Sequence, residues 1–130
     1  MDIMIDHIVE LSNAIYSELG SGFAENIYQK ALFYELIDNG YSVELEKIIP
    51  ITYKNYNVGI GRIDLFIKNQ DNIYLIIELK AITGSIGCKE LTQLKTYCKN
   101  IDKEGCGGII INFPQPGTKL NKNDIEILKL

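Results

Sequence analysis

The chain has 130 residues, 46% hydrophobic and 23% charged, the balance of one ordinary globular domain with no linker and no second unit. Its net charge of −4 argues against coating nucleic acid by bulk electrostatics, but residues 1–79 hold 5 basic and 12 acidic side chains and residues 80–130 hold 8 and 5, so a polyanionic substrate stays open. No run approaches the roughly 20 apolar residues of a membrane-spanning helix, Met1–Asp6 is no signal peptide, and Cys88, Cys98 and Cys106 suit neither a disulfide framework nor a metal cluster; a soluble, intracellular protein with reduced thiols is expected.

Ile5, Ile8, Val9, Ile15 and Leu19 recur at helical spacing and predict an amphipathic helix over residues 2–19, with Gly20 as a left-handed cap. Ser21 is then placed to cap a second helix, whose apolar stripe is Phe23, Ile27, Ala31 and Tyr34 and which Gly40 stops. From Val43 the pattern turns to β. Lys47–Tyr53, a turn at Asn55-Tyr56-Asn57, Val58–Lys68 and Ile73–Ala81 predict a three-stranded antiparallel meander. Helical spacing returns over Lys89–Asn100, Gly107–Phe113 reads as a buried strand, and Ile125–Leu130 as a short edge strand. A helical crossover makes the strands on either side of it parallel. The order therefore predicts an α/β fold: a mixed sheet, antiparallel meander plus parallel crossover strand, flanked by helices.

The third strand is apolar until Glu78-Leu79-Lys80, which sets a carboxylate and an ammonium on one face at i and i+2. A solvated strand end with a weak ion pair explains that much. Asp64, however, interrupts a second apolar run one hairpin away. With a three-residue loop, Gln70-Asp71-Asn72, pairing Asn69 with Ile73, Asp64 lies opposite Glu78; with a four-residue loop pairing Lys68 with Ile73, it lies opposite Ile77 and needs a bulge. Directly opposed carboxylates repel unless a cation lies between them. Oxygen donors point to magnesium or manganese, held by Asp64, Glu78 and the Leu79 carbonyl, with Lys80 beside a water that attacks a phosphodiester.

Glu25, in the first turn of the second helix, serves either that site or the helix dipole. Tyr28 shares its face as a core aromatic or a substrate contact, and Gln93 and Tyr97, at i and i+4, pack at a surface or support substrate. His7 lacks a nucleophile partner pattern, Gly20-Ser21-Gly22 lacks the trailing Gly-Lys of a phosphate loop, and Gly105–Gly108 reads as close strand entry.

Gly22-Phe23-Ala24-Glu25-Asn26-Ile27-Tyr28 matches the signature G-x-x-E-x-x-Y. Arg62-Ile63-Asp64-Leu65, Ile77-Glu78-Leu79-Lys80-Ala81, Gln93-Leu94-Lys95-Thr96-Tyr97 and Gly108–Phe113 follow it in order. From about residue 5 to 115 the chain resembles the GxxExxY protein family of the PD-(D/E)xK nuclease superfamily. The resemblance implies a restriction-endonuclease-like core, with Asp64 as the first metal-binding aspartate, Glu78 as the second carboxylate and Lys80 as the catalytic lysine. Glu25 would be the helical acid that helps complete the metal site, and Gln93 and Tyr97 a Q-x-x-x-Y element. Ile63 stands where many members have proline, and the four cysteines of iron–sulfur relatives are missing, so no iron–sulfur cluster is expected.

The expectation is therefore a nuclease dependent on Mg2+ or Mn2+, acting on nucleic acid, DNA ahead of RNA, with a homodimer left open. The rival is a non-catalytic nucleic-acid-binding or protein-interaction module on the same fold.

Overall fold

The computed structural model describes residues 1–101, 105–117 and 124–130. Helix α1 (Asp2–Leu19) takes the expected span and turns Ile5, Ile8 and Ile15 inward. Its end differs from expectation: Gly20 has φ 75° but ψ −172°, so it leaves the helix extended rather than as a left-handed cap, while its N–H still reaches the Tyr16 carbonyl at 2.8 Å.

Helix α2 (Glu25–Asp38) starts after Ala24, and no side chain caps it, so Ser21 does not have the role its position suggests. The Gly20–Phe23 corner is held from inside the helix instead. The Tyr28 hydroxyl donates to the Gly20 carbonyl at 2.7 Å and accepts the Phe23 N–H at 3.4 Å. Of the expected apolar stripe only Ala31 packs against the core: Phe23, Ile27 and Tyr34 are exposed, whereas Tyr28, Gln29, Leu32 and Leu36 are buried. Apolar residues occur around most of this helix, so spacing alone does not select the face; contact with the sheet does.

Strand β1 (Val43–Tyr53) begins four residues before Lys47 and meets β2 (Tyr56–Lys68) at Lys54-Asn55. Both turn residues have positive φ, 48° and 68°, the signature of a two-residue type I′ hairpin, so Tyr56 and Asn57 belong to the strand rather than the turn. Strand β3 (Tyr74–Lys80) runs antiparallel to β2, and helix α3 (Cys88–Ile101) crosses over to β4 (Cys106–Asn112), parallel to β3. A short β5 (Glu126–Lys129) closes the edge antiparallel to β4, giving the order β1-β2-β3-β4-β5.

The sheet is buried on both faces. Leu65, Ile67, Leu75, Ile77, Leu79, Ile109 and Ile111 pack with α1 and α2, and Ile49, Ile63, Phe66, Ile76 and Ile110 pack with α3. Each such side chain contributes roughly 1.5–3 kcal/mol when fully buried.

Strict alternation fails in β1 and β2 at the register shift between Ile51 and Thr52 and again nearer the sheet. Leu45 and Leu65 face α1 and α2, yet Ile49 and Ile63, of the same parity, face α3. The register stays continuous there, Leu45↔Leu65 and Lys47↔Ile63, while Glu46 between them takes φ 55°. Asp64, across from Glu46, therefore sits where the strand pair twists from one core to the other. Among the described residues no helix is long and apolar enough to cross a membrane.

Candidate active site

The β2–β3 hairpin closes through three residues. Asn69 N–H donates to the Ile73 carbonyl at 3.0 Å, and the Asn69 Oδ1 accepts the Asp71 and Ile73 N–H groups at 2.9 Å each, which holds the loop. The ladder then reads Lys68↔Tyr74, Ile67↔Leu75, Phe66↔Ile76 and Leu65↔Ile77, and its next step sets Asp64 opposite Glu78. Of the two registers open from sequence, this is the first.

At that step the backbone ladder gives way to side chains. Leu79 N–H donates to Asp64 Oδ2 at 2.8 Å, and the carboxyls of Asp64 and Glu78 lie within reach of each other. The twist at Asp64 turns its backbone out of the ladder, so the Leu79 N–H is satisfied by the acid of the neighbouring strand. Burial first, then the charge of Asp64, push Glu78 up to about 8. Burial also raises Asp64, opposed by the Leu79 N–H and by the Lys80 and Arg62 charges. Glu78 Oε1 is buried without a hydrogen-bond partner among the described residues. An ionised oxygen in that setting is costly, so without a cation the two acids hold a proton between them.

Glu25 is exposed at the start of α2; burial and the Asp64 charge raise its carboxyl while the Lys80 charge lowers it, so it feels the pair from a distance. Among the described residues no three His, Cys, Asp or Glu side chains are gathered closely enough to hold a metal ion, which leaves Asp64 and Glu78 as the assembled pair with Glu25 outside it. Leu79 buries its side chain completely and offers the site only backbone. The two acids supply hard oxygen donors, and the orphaned Glu78 oxygen is the kind of group a divalent cation satisfies.

Lys80, one residue beyond, lines a cleft of about 340 Å³ with Lys89, Glu90, Thr92 and Gln93. Gln93 Nε2 donates to the Tyr97 hydroxyl at 2.9 Å. Tyr97 is buried and packs over Gly61, so it braces Gln93 rather than lining the cleft. Tyr28 is fully buried and stacked on Phe113, ring centroids 4.4 Å apart, with its hydroxyl turned to the Gly20–Phe23 corner. His7 is occupied away from the site, its Nδ1 2.7 Å from the Tyr41 hydroxyl. Cys98 and Cys106 lie with sulfurs 2.7 Å apart between α3 and β4.

Sequence reading missed two supports. Gln29, one turn beyond Glu25 and buried, donates Nε2 to the Asp64 carbonyl at 3.1 Å and ties α2 to the twisted strand. Asn112 pairs with Lys80 across β3 and β4 and is fully buried. Its Oδ1 accepts the Ile82 N–H at 3.0 Å and its Nδ2 reaches Gly84 O at 3.4 Å and Glu126 Oε1 at 3.3 Å; Glu126 Oε1 in turn accepts the Ile86 N–H at 3.0 Å. This network holds the connector from Lys80 to α3. Asn112 at least ends the apolar run Ile109-Ile110-Ile111, whereas Gln29 lies between a buried Tyr28 and an exposed Lys30 with no such mark.

A family model of the PD-(D/E)XK nuclease superfamily matches residues 2–124. The crystal structure of SSO0001 is similar in fold, with a TM-score of 0.51 and 22% identity over 80% of this chain and 48% of that one. The chain thus spans about half the length of that structure. No curated protein matches. The mixed five-stranded sheet with its three helices is the restriction-endonuclease-like α/β arrangement expected from the order of elements.

Proposed function

The chain belongs to the PD-(D/E)XK nuclease superfamily, and on that premise we propose that it is a divalent-metal-dependent nuclease of the GxxExxY branch, acting as one domain on nucleic-acid phosphodiesters. The observation that carries this reading is Glu78 Oε1, buried with no backbone, amide, hydroxyl or ammonium donor among the described residues and set against a second acid, Asp64. A structural ion pair would leave no such oxygen. Asp64, Glu78 and the Leu79 carbonyl would hold magnesium or manganese, with Glu25 assisting from α2. When bound, the cation supplies positive charge that lets both acids ionise and polarises the scissile phosphate.

The chain's own residues do the rest. Lys80 stands on the Glu78 face of β3 and opens on the cleft, where its ammonium orients the attacking water and offsets charge developing on phosphate. Gln93, held by Tyr97, presents an amide to a phosphate oxygen in the same cleft. Gln29 and Asn112 keep Asp64 and the connector beyond Lys80 in place, so little reorganisation is needed.

The test is cleavage of labelled single- and double-stranded DNA and RNA with magnesium, manganese or EDTA. Metal-dependent cleavage of DNA ahead of RNA is expected, and Lys80→Ala should reduce it by roughly 10²–10³ while leaving folding and metal binding intact. Cleavage retained by Lys80→Ala removes that residue from the mechanism. A folded, metal-binding protein that cuts none of the four polymers points instead to a non-catalytic nucleic-acid-binding or protein-interaction module.

A further inference from the structure

Strand β2 is thirteen residues long, but its ladder with β3 runs only from Leu65 to Lys68. Residues 47–62 therefore form a two-stranded ribbon reaching past the sheet, joined to the site through Asp64. One side rests on α3, with Ile49 and Gly61 against Tyr97. The other side and the tip are bare: Ile48 is 54% exposed, Ile60 66%, Tyr53 61% and Tyr56 72%. Large apolar and aromatic groups left out together on one element mark a surface that meets a partner.

Charge identifies the partner. The ribbon contains Lys47, Lys54 and Arg62 and no carboxylate, in a chain whose net charge is −4. Lys47 is taken up by Glu44 at 2.9 Å. Lys54, at the turn, has its ammonium 5.4 Å from the Tyr53 ring centre and makes no ion pair among the described residues. Arg62 is exposed at the root, and its charge reaches Asp64. Helix α3, packed on the ribbon's opposite side, carries the exposed Lys89, Lys95 and Lys99. The bare side thus carries Lys54 at its tip and Arg62 at its root, with no carboxylate between them. From Tyr56 to Asp64 the ribbon spans roughly 27 Å at about 3.4 Å per residue, near eight base-pair steps.

We propose that the β1–β2 ribbon is a docking arm for B-form duplex DNA, its tip entering the major groove and its root bringing a phosphodiester to Asp64 and Glu78. A two-stranded ribbon matches a groove about 12 Å wide, whereas the narrow major groove of A-form RNA excludes it. Lys54 meets a phosphate, the Tyr53 and Tyr56 hydroxyls meet groove edges, and Ile48 and Ile60 lie against sugars and thymine methyl groups. Where the strand is cut rests on the nuclease reading; the docking does not.

The test measures anisotropy of a labelled DNA duplex, the same duplex in RNA and a DNA single strand, in EDTA so that nothing is cut. Wild type is compared with Lys54→Gln and with Tyr56→Ala; both side chains lie at the exposed tip, and a thermal melt checks that the fold is kept. Tyr56→Ala should weaken duplex DNA binding about tenfold. Lys54→Gln should make the dependence of log K on log salt shallower by about 0.9. Unchanged affinity and unchanged salt slope in both variants overturn the arm, and so does equal wild-type affinity for duplex RNA. A dimer seen by sedimentation and lost in the variants, with DNA binding retained, overturns it in favour of a second copy on the ribbon. With magnesium or manganese added, a wild type that binds through the arm but cuts nothing removes the nuclease reading and leaves the arm standing. Variants that raise KM with kcat unchanged support both.

Discussion

Glu78 holds its proton up to about 8 against an ordinary value of 4.5, so the metal-free folded state binds that proton more tightly than the unfolded chain does. The linked stability is complete below about pH 4.5 and is lost as pH climbs through about 8. Asp64 shifts in the same direction and adds to the loss. The melting temperature in EDTA should therefore fall between about pH 5 and about pH 8, and Glu78→Gln should flatten the fall. With magnesium the slope should reverse, because the cation needs both acids ionised. A metal-free melting curve that rises over that interval would remove the shared-proton description of the pair. Asp64, Glu78 and Lys80 were legible in the sequence because ionised groups interrupt apolar runs there. Gln29 and Asn112 were not, since an amide's role depends on which backbone atoms the fold brings to it.

Helix α2 carries the clearest difference between pattern and packing. Its buried face is Tyr28, Leu32 and Leu36, so Leu32→Ala should cost roughly 2–5 kcal/mol in urea denaturation. Tyr34→Ala, on the exposed side, should stay within about 0.5 kcal/mol. Equal losses at the two positions would restore the stripe suggested by spacing. Gly61 marks a second contact between elements. A Cβ there would lie 2.5 Å from the Tyr97 ring, so Gly61→Ala should cost roughly 1–3 kcal/mol and loosen Gln93 from its brace. A change in denaturation midpoint without a change in its slope would show that effect as stability alone. The β2–β3 register lay between these cases. Sequence narrowed it to two, and Asn69 decided it by accepting two N–H groups of the loop.

Across the whole molecule, ligand binding and folding should be one equilibrium. Magnesium or manganese at about a hundred times its dissociation constant should stabilise the protein by about 2.7 kcal/mol. Asp64→Asn should abolish that gain, and a gain that survives the substitution would place the cation elsewhere. By itself the sequence determined the order of elements, the antiparallel meander with its parallel crossover, and the acids and lysine of the candidate site. Periodicity and interrupted apolar runs are local properties, and they survive in a single chain read end to end. Only the tertiary structure decided which face of α2 is buried, where β1 and β2 twist at Glu46 and Asp64, and that residues 47–62 stand clear of the sheet. Those features depend on how far one element reaches over another, and no stretch of sequence carries that length.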